Sequence, residues 1–288
     1  MDITQEVPAA FLNSATRQGP LGLIGEAVHE IRSRWRLVRY LAQADLKRKG
    51  ADTVFGNVWW IIDPVLQMAV YAILVTVIFA RKQEAYPLFI FAAILPWKWL
   101  NTVISDAISS VTGQERLIKQ IQFPKIVLPS AAMVAGTAHF IFGLIPLALM
   151  LLVFYQSHVS GALVFIPLVA VVQFVFTLAI GLIVSALNVF FRDVGNLARH
   201  IMRLWFYLSP ALYGADTVTK LGGSHPTIAE AMRLNPMYTI LESYRDAIYY
   251  GRTPDFAALA IVLAGSIVLL LVGVVFFKRL EPAFAKVL

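Results

Sequence analysis

From Ile126 to Phe191 the chain runs for 66 residues without one Asp, Glu, Lys or Arg. Soluble domains carry charge at about one residue in four, so a run of this length has no place in water, and bilayer hydrocarbon is the solvent it fits. The whole chain agrees, with 59% hydrophobic and 14% charged residues. The apolar runs are continuous, unlike the roughly ten-residue alternating segments of a membrane barrel. Their backbone polar groups must then be satisfied within helices. The expected fold class is all-α and polytopic.

At about 20 residues per crossing, six segments reach spanning length: 58–80, 88–111, 126–154, 163–190, 198–214 and 256–277. The third and fourth come from the charge-free block, cut at Gln156-Ser-His-Val-Ser-Gly161, a turn-favouring stretch. The fifth starts on Arg199, His200 and Arg203 and meets Pro210 at its end, so a five-span count stays open beside the six. With six spans, 17 Lys and Arg fall on the face that holds both termini, against six on the other. The positive face is cytoplasmic. Apart from the arginines that open the fifth, Lys98 is the one basic residue within a predicted span, and with Asp63 and Asp106 it is placed close to a span end.

Ahead of the first span, Ile24, Val28, Ile31, Trp35, Val38 and Ala42 recur at steps of three and four, with charged residues between them. This is an amphipathic helix. Its basic residues and Trp suit the cytoplasmic headgroup plane, where Arg32, Arg34, Arg36 and Arg39 would attract anionic lipid. Residues 1–20 are mixed and polar, which fits a poorly ordered start and not a signal peptide. Residues 21–49 form the interface helix and linker, and 50–288 one transmembrane domain. The loop over 215–255 holds two half-apolar segments broken by Asn235-Pro236, the pattern of a re-entrant hairpin dipping in from outside.

The chemistry of common enzymes is missing. No Gly-Lys dipeptide occurs, so there is no phosphate-cradling loop. His29-Glu30 begins a zinc-protease pattern, but Ser33 stands where the second His would be. There is no Asp-x-Asp pair for the divalent ion of a sugar nucleotide, and no cysteine for disulfides or thiolate metal sites. Asp63, Lys98, Asp106 and His139 make a thin set for an ion relay. The net charge of +7 belongs to cytoplasmic loops, with no nucleic acid implied.

Several short motifs follow in a fixed order. Asp45-Leu-Lys-Arg-Lys49 precedes Phe55-Gly-Asn-Val-Trp-Trp60 and Asp63-Pro64; Leu95-Pro-Trp-Lys-Trp-Leu100 lies in the second span. Arg116-Leu-Ile-Lys119, Phe123-Pro-Lys125 and Leu128-Pro129 come next, then Asn188-Val-Phe-Phe-Arg-Asp193 at the end of the fourth span. Ser209-Pro210 with Tyr213, Asn235-Pro236 and Tyr244-Arg245 complete the order. Over nearly its whole length the chain resembles the membrane subunits of ABC-2-type exporters, which move polysaccharides and polyol phosphates across the bacterial inner membrane. Lys98 departs from that pattern, which has an uncharged, often aromatic residue there.

The resemblance implies a permease that translocates a lipid-linked polysaccharide or polyol phosphate polymer. It pairs with a second copy of itself and with two copies of a separate ATPase, which holds the ATP and Mg. No cofactor is expected in this chain. The charged handle over 113–125 would be the ATPase-coupling segment. Leu117, Ile118 and Ile121 would pack into a partner groove and Glu115, Arg116 and Lys119 would orient the contact, with Phe123 and Pro124 in the same segment. Trp97, Trp99 and Phe142 are the expected lining of the path, since sugar faces stack on aromatic rings. Two helical residues at i and i+2 point about 200° apart, so Trp97 and Trp99 share a path only if Pro96 breaks the helix, and Lys98 should then snorkel away. Glu242, Arg245 and Asp246 would form a polar rim on an outer gate. Two other readings stand beside this one: an ABC-2 permease for a drug or small lipid, and a membrane glycan transferase acting on polyprenyl carriers.

Overall fold

Apolar runs of helix length become helices. The computed structural model describes residues 19–51, 54–74 and 84–288, and every regular element among them is helical. In chain order they are α1 (Pro20–Ser33), α2 (Trp35–Gly50), α3 (Trp59–Ile73), α4 (Tyr86–Thr112), α5 (Glu115–Gln120), α6 (Val127–Val153), α7 (Ile166–Phe190), α8 (Val194–Leu208), α9 (Ala215–Ser224), α10 (Pro226–Arg233), α11 (Pro236–Ile248) and α12 (Phe256–Val287). Among the described residues, four helical stretches are long and apolar enough to cross a bilayer: Tyr86–Gln120, Val127–Val153, Gly161–Phe190 and Phe256–Val287.

The other two expected spans are shorter as helices. At 1.5 Å per residue, the 15 residues of α3 and of α8 each reach about 22 Å, short of the roughly 30 Å hydrocarbon layer. The first expected span, 58–80, continues past Ile73 into 75–83, which lie outside the described residues, as do residues 1–18 of the expected poorly ordered start. For the fifth, expected over 198–214, the cause is chemical. Pro210 forces Ser209 into extended backbone (φ −98°, ψ 148°), and α8 ends there.

The N-terminal amphipathic segment arrives as two helices parted at Arg34. α1 lies against α12 and α2 against α6. Its apolar stripe is shared: Ala27, Val38 and Ala42 are buried in the protein, while Val28 and Trp35 stay exposed.

α4 sits at the centre, packed by α3, α6, α7, α8 and α11. Lipid tails are as apolar as leucine, so helices in a bilayer associate through close fit and polar contacts. Both are present. Gly136 and Gly143 on α6 let it approach α4 so closely that a methyl group at 136 would overlap Val103 and one at 143 would overlap Leu95. From α7, Gln173 Nε2 donates to the Pro96 carbonyl at 2.7 Å and Asn188 Nδ2 to the Ile108 carbonyl at 2.8 Å.

At one end of α12, Asp255 accepts from the backbone N–H groups of Ala257 and Ala258 at 3.0 Å each, capping the helix. Near the other end, the buried Lys278 ammonium meets three carboxylates: Glu26 at 2.8 Å, Glu30 at 2.9 Å and Glu281 at 2.9 Å. Glu281 also accepts from the Lys125 backbone N–H at 2.5 Å. Burial pushes the Glu30 carboxyl up, against the pull of its hydrogen bond from Lys278.

Candidate functional site

One face of α4 breaks the apolar rule. Asn101, Ser105 and Ser109 are exposed and Lys98, Thr102 and Asp106 half-buried, whereas 99, 100, 103, 104, 107 and 108 are all buried. Steps of three and four put the polar set on one stripe of about 16 Å. Lys98 lies 12 residues from the start of the helix, about 18 Å along it, so it is mid-span and not near an end. Facing lipid, such a stripe would cost several kcal/mol. Another protein surface, water or a polar substrate must cover it.

The stripe forms one wall of a cavity of about 580 Å³. α3 contributes Trp59, Trp60 and Asp63, α6 contributes His139 and Phe140, and Lys49 comes from the end of α2. Lys98 pairs with Asp63 across α4 and α3, so it neither snorkels nor turns away. Lys49 pairs with Asp106 at 2.5 Å and Asp45 at 3.1 Å. The Trp60 ring lies 4.5 Å from His139 and 5.3 Å from Phe142, and Trp99 stacks on Phe140 at 4.4 Å. The Trp99 indole Nε1 and the His139 imidazole Nε2 are buried without hydrogen-bond partners. Buried polar atoms in native proteins are nearly always paired, so these two mark where a ligand or water belongs.

The structure separates the two tryptophans expected to share one path. α4 runs unbroken through Pro96, so Trp97 packs on Trp205 and Phe206 of α8 while Trp99 turns to α6 and the cavity. Phe142 is exposed beside Trp60. The polar stripe itself escaped sequence reading, because averaging over a hydrophobic window hides a periodic minority of polar residues. The signal was Asn101, Thr102, Ser105, Asp106 and Ser109 at steps of one, three, one and three.

In the handle, Ile118 is 5% exposed and packs with Val111, Ile126, Phe277 and Phe284, so it cannot enter a partner's groove. Arg116 and Ile121 are exposed and Leu117 half-buried. Lys119 reaches Glu115 at 2.7 Å and the Leu288 carbonyl at 2.8 Å. Phe123 and Pro124 help line a cleft of about 530 Å³ between the handle, Glu30 of α1 and Glu281 of α12. Arg32, Arg34, Arg36 and Arg39 are all exposed.

The outer charges do not make a rim. Arg245 is 0% exposed, because α11 is buried against α4 and α7. Its guanidinium donates to Glu242 at 2.6 Å, to the carbonyls of Ala211 and Tyr213 at 2.8 Å each and to that of Phe89 at 3.4 Å, and lies 3.9 Å from the Phe89 ring centroid. Asp246 pairs with Arg252 at 2.7 Å. Nearby, Asn235 caps α11 through Met237 N–H and ties Trp205 Nε1 and Ser209 to it.

A family model described as ABC-2 type transporter matches residues 36–249. The O-antigen export system permease protein RfbA of Myxococcus xanthus is 32% identical over 246 residues, 85% of this chain and 93% of that protein. Two Klebsiella pneumoniae proteins of the same description are each 27% identical over 253 residues, 88% of this chain and 95% of theirs.

Proposed function

Because this chain belongs to the ABC-2 type transporter family, we propose that it is the permease subunit of an ATP-driven exporter of a lipid-linked polysaccharide. The relatives' names supply the class of cargo, and the polar stripe on α4 is the observation in this chain that carries the reading. A continuous polar face in the middle of an apolar bundle is what a hydroxyl-rich chain needs to cross a bilayer. It is of no use to a drug or small-lipid carrier that works through apolar contact.

In this reading two copies place their α4 stripes on opposite sides of one path in the inner membrane. Six crossings, with α3 and α8 counted among them, put both termini and the handle in the cytoplasm. Two copies of an ATPase with its ATP and Mg bind below. Arg116, Leu117 and Ile121 meet that partner, while buried Ile118 transmits the contact inward to α12. The exposed arginines 32, 34, 36 and 39, with Val28 and Trp35, hold α1 and α2 in the headgroup layer and gather the anionic end of the carrier lipid. α9 to α11 fold back from outside as the re-entrant element.

The chain has no native cysteine, which gives a direct test. In cells expressing the permease with its ATPase, an Asn101→Cys variant should react with a membrane-impermeant thiol reagent, and ATP should change the rate. Deleting the gene should remove polysaccharide from the cell surface. Surface polysaccharide that survives the deletion, with cysteine 101 unreactive in every state, would refute the reading.

A further inference from the structure

Lipid-linked polymers come in two electrostatic kinds, uncharged glycans and polymers with an acid on every repeat. The cavity beside α4 tells them apart. Both of its ammonium groups are already engaged, Lys98 by Asp63 and Lys49 by Asp106 and Asp45. Among the described residues no lining cation is left free for a substrate anion, and the two lysines and two aspartates of the lining balance to zero. What the cavity offers instead is neutral. The rest of its polar lining is Asn101, Thr102 and Ser105, and within the wall Trp99 Nε1 and His139 Nε2 are buried and unpartnered, Trp99 being 3% exposed. An indole N–H can only donate, and a ring nitrogen of histidine donates or accepts; both match a sugar hydroxyl. The volume, about 580 Å³, falls in the usual range for ligand sites of about 300–1,000 Å³.

We propose that this cavity is a sugar subsite that accepts uncharged pyranose units and rejects acidic ones, its selectivity set by the Lys98–Asp63 and Lys49–Asp106 pairs. The idea rests on the exporter reading and narrows its cargo. Hydroxyls donate to the open side of Asp63, which keeps 60% of its side-chain surface exposed while it holds Lys98. A uronate or phosphate would instead stand beside Asp63 and Asp106 in a cleft partly withdrawn from water, where salt screens little.

The test uses the reconstituted permease–ATPase complex and two probes: a polyprenyl-diphosphate-linked neutral hexasaccharide and the same molecule oxidised to carboxylates at C6. Stimulation of ATP hydrolysis is titrated for each. The neutral probe should act at about tenfold lower concentration than the acidic one. Asp63→Asn frees Lys98 and should shift that ratio toward the acidic probe by about tenfold, whereas Lys98→Asn frees Asp63 and should widen it. Opposite shifts from two substitutions that each remove one charge of the pair are not what misfolding produces, and size-exclusion profiles of both complexes check assembly. Preference for the acidic probe in the unmodified complex, or a ratio unmoved by both substitutions, overturns the subsite while leaving the exporter standing. No response to either probe, from a complex that does hydrolyse ATP, overturns the polysaccharide reading and the subsite with it.

Discussion

Two charged regions, the Arg245 clamp and the α4 cavity, are built from the same residue types to opposite ends. Around Arg245 every guanidinium nitrogen has an acceptor, three of them backbone carbonyls from distant segments, and Glu242 balances the charge. Around α4 the ion pairs are half-exposed, and two ring nitrogens have nothing to bond. A saturated cluster fixes a fold. An unsaturated one, held open by the same bundle, is ready for something that comes and goes.

The sharpest way to break this contrast is Arg245→Met. It strands Glu242 and three carbonyls in the interior, and removing one partner of a buried pair costs about 3–5 kcal/mol. The membrane-inserted protein should fall sharply in abundance and in thermal stability in detergent. Gly143→Val comes next. It thickens the α4–α6 seam against Leu95, with an overpacking cost of about 1–3 kcal/mol, read as a lower melting temperature of the purified chain. Arg252→Ala removes only the exposed arm that reaches Asp246, and the change should stay below about 1 kcal/mol in the same assay.

At the small end lies the double change Asn101→Leu with Ser105→Leu. If the stripe serves passage and not folding, melting should hold or rise slightly while surface polysaccharide is lost. A large fall in stability with export intact would erase the distinction between the two regions.

Much of the architecture was legible as sequence because bilayer hydrocarbon imposes a coarse, length-based rule. α4, α6, α7 and α12 lie within a few residues of the expected limits at most ends, although α12 continues ten residues past the expected 277. Break points carried by proline were also legible: Asn235-Pro236 opens α11 and Ser209-Pro210 ends α8. Direction and depth were not. Charged residues read as exposed by default, so Arg245 looked like a rim. Only the fold brings Phe89 to it from one segment and Ala211 and Tyr213 from another. Pro96 looked like a helix breaker, but α4 runs straight through it. Trp97 and Trp99 therefore face opposite neighbours, and only one of them reaches the cavity.

The knot at Lys278 has a mechanical consequence. α1 through Glu26 and Glu30, α12 through Glu281, and the end of the handle through Lys125 are all bolted to one point, while Lys119 grips the last residue, Leu288. Parts fastened together share one displacement. If the handle receives the ATPase stroke, as proposed above, that stroke cannot be absorbed within this block; it has to swing α1, α5 and the tail of α12 as a unit. The give must lie at the edges of that block, at Arg34 between α1 and α2 and at Gly113 between α4 and α5. Those two joints border α2 and α4, the helices that carry Lys49 and Asp106, so whatever bends them moves that pair in the cavity wall.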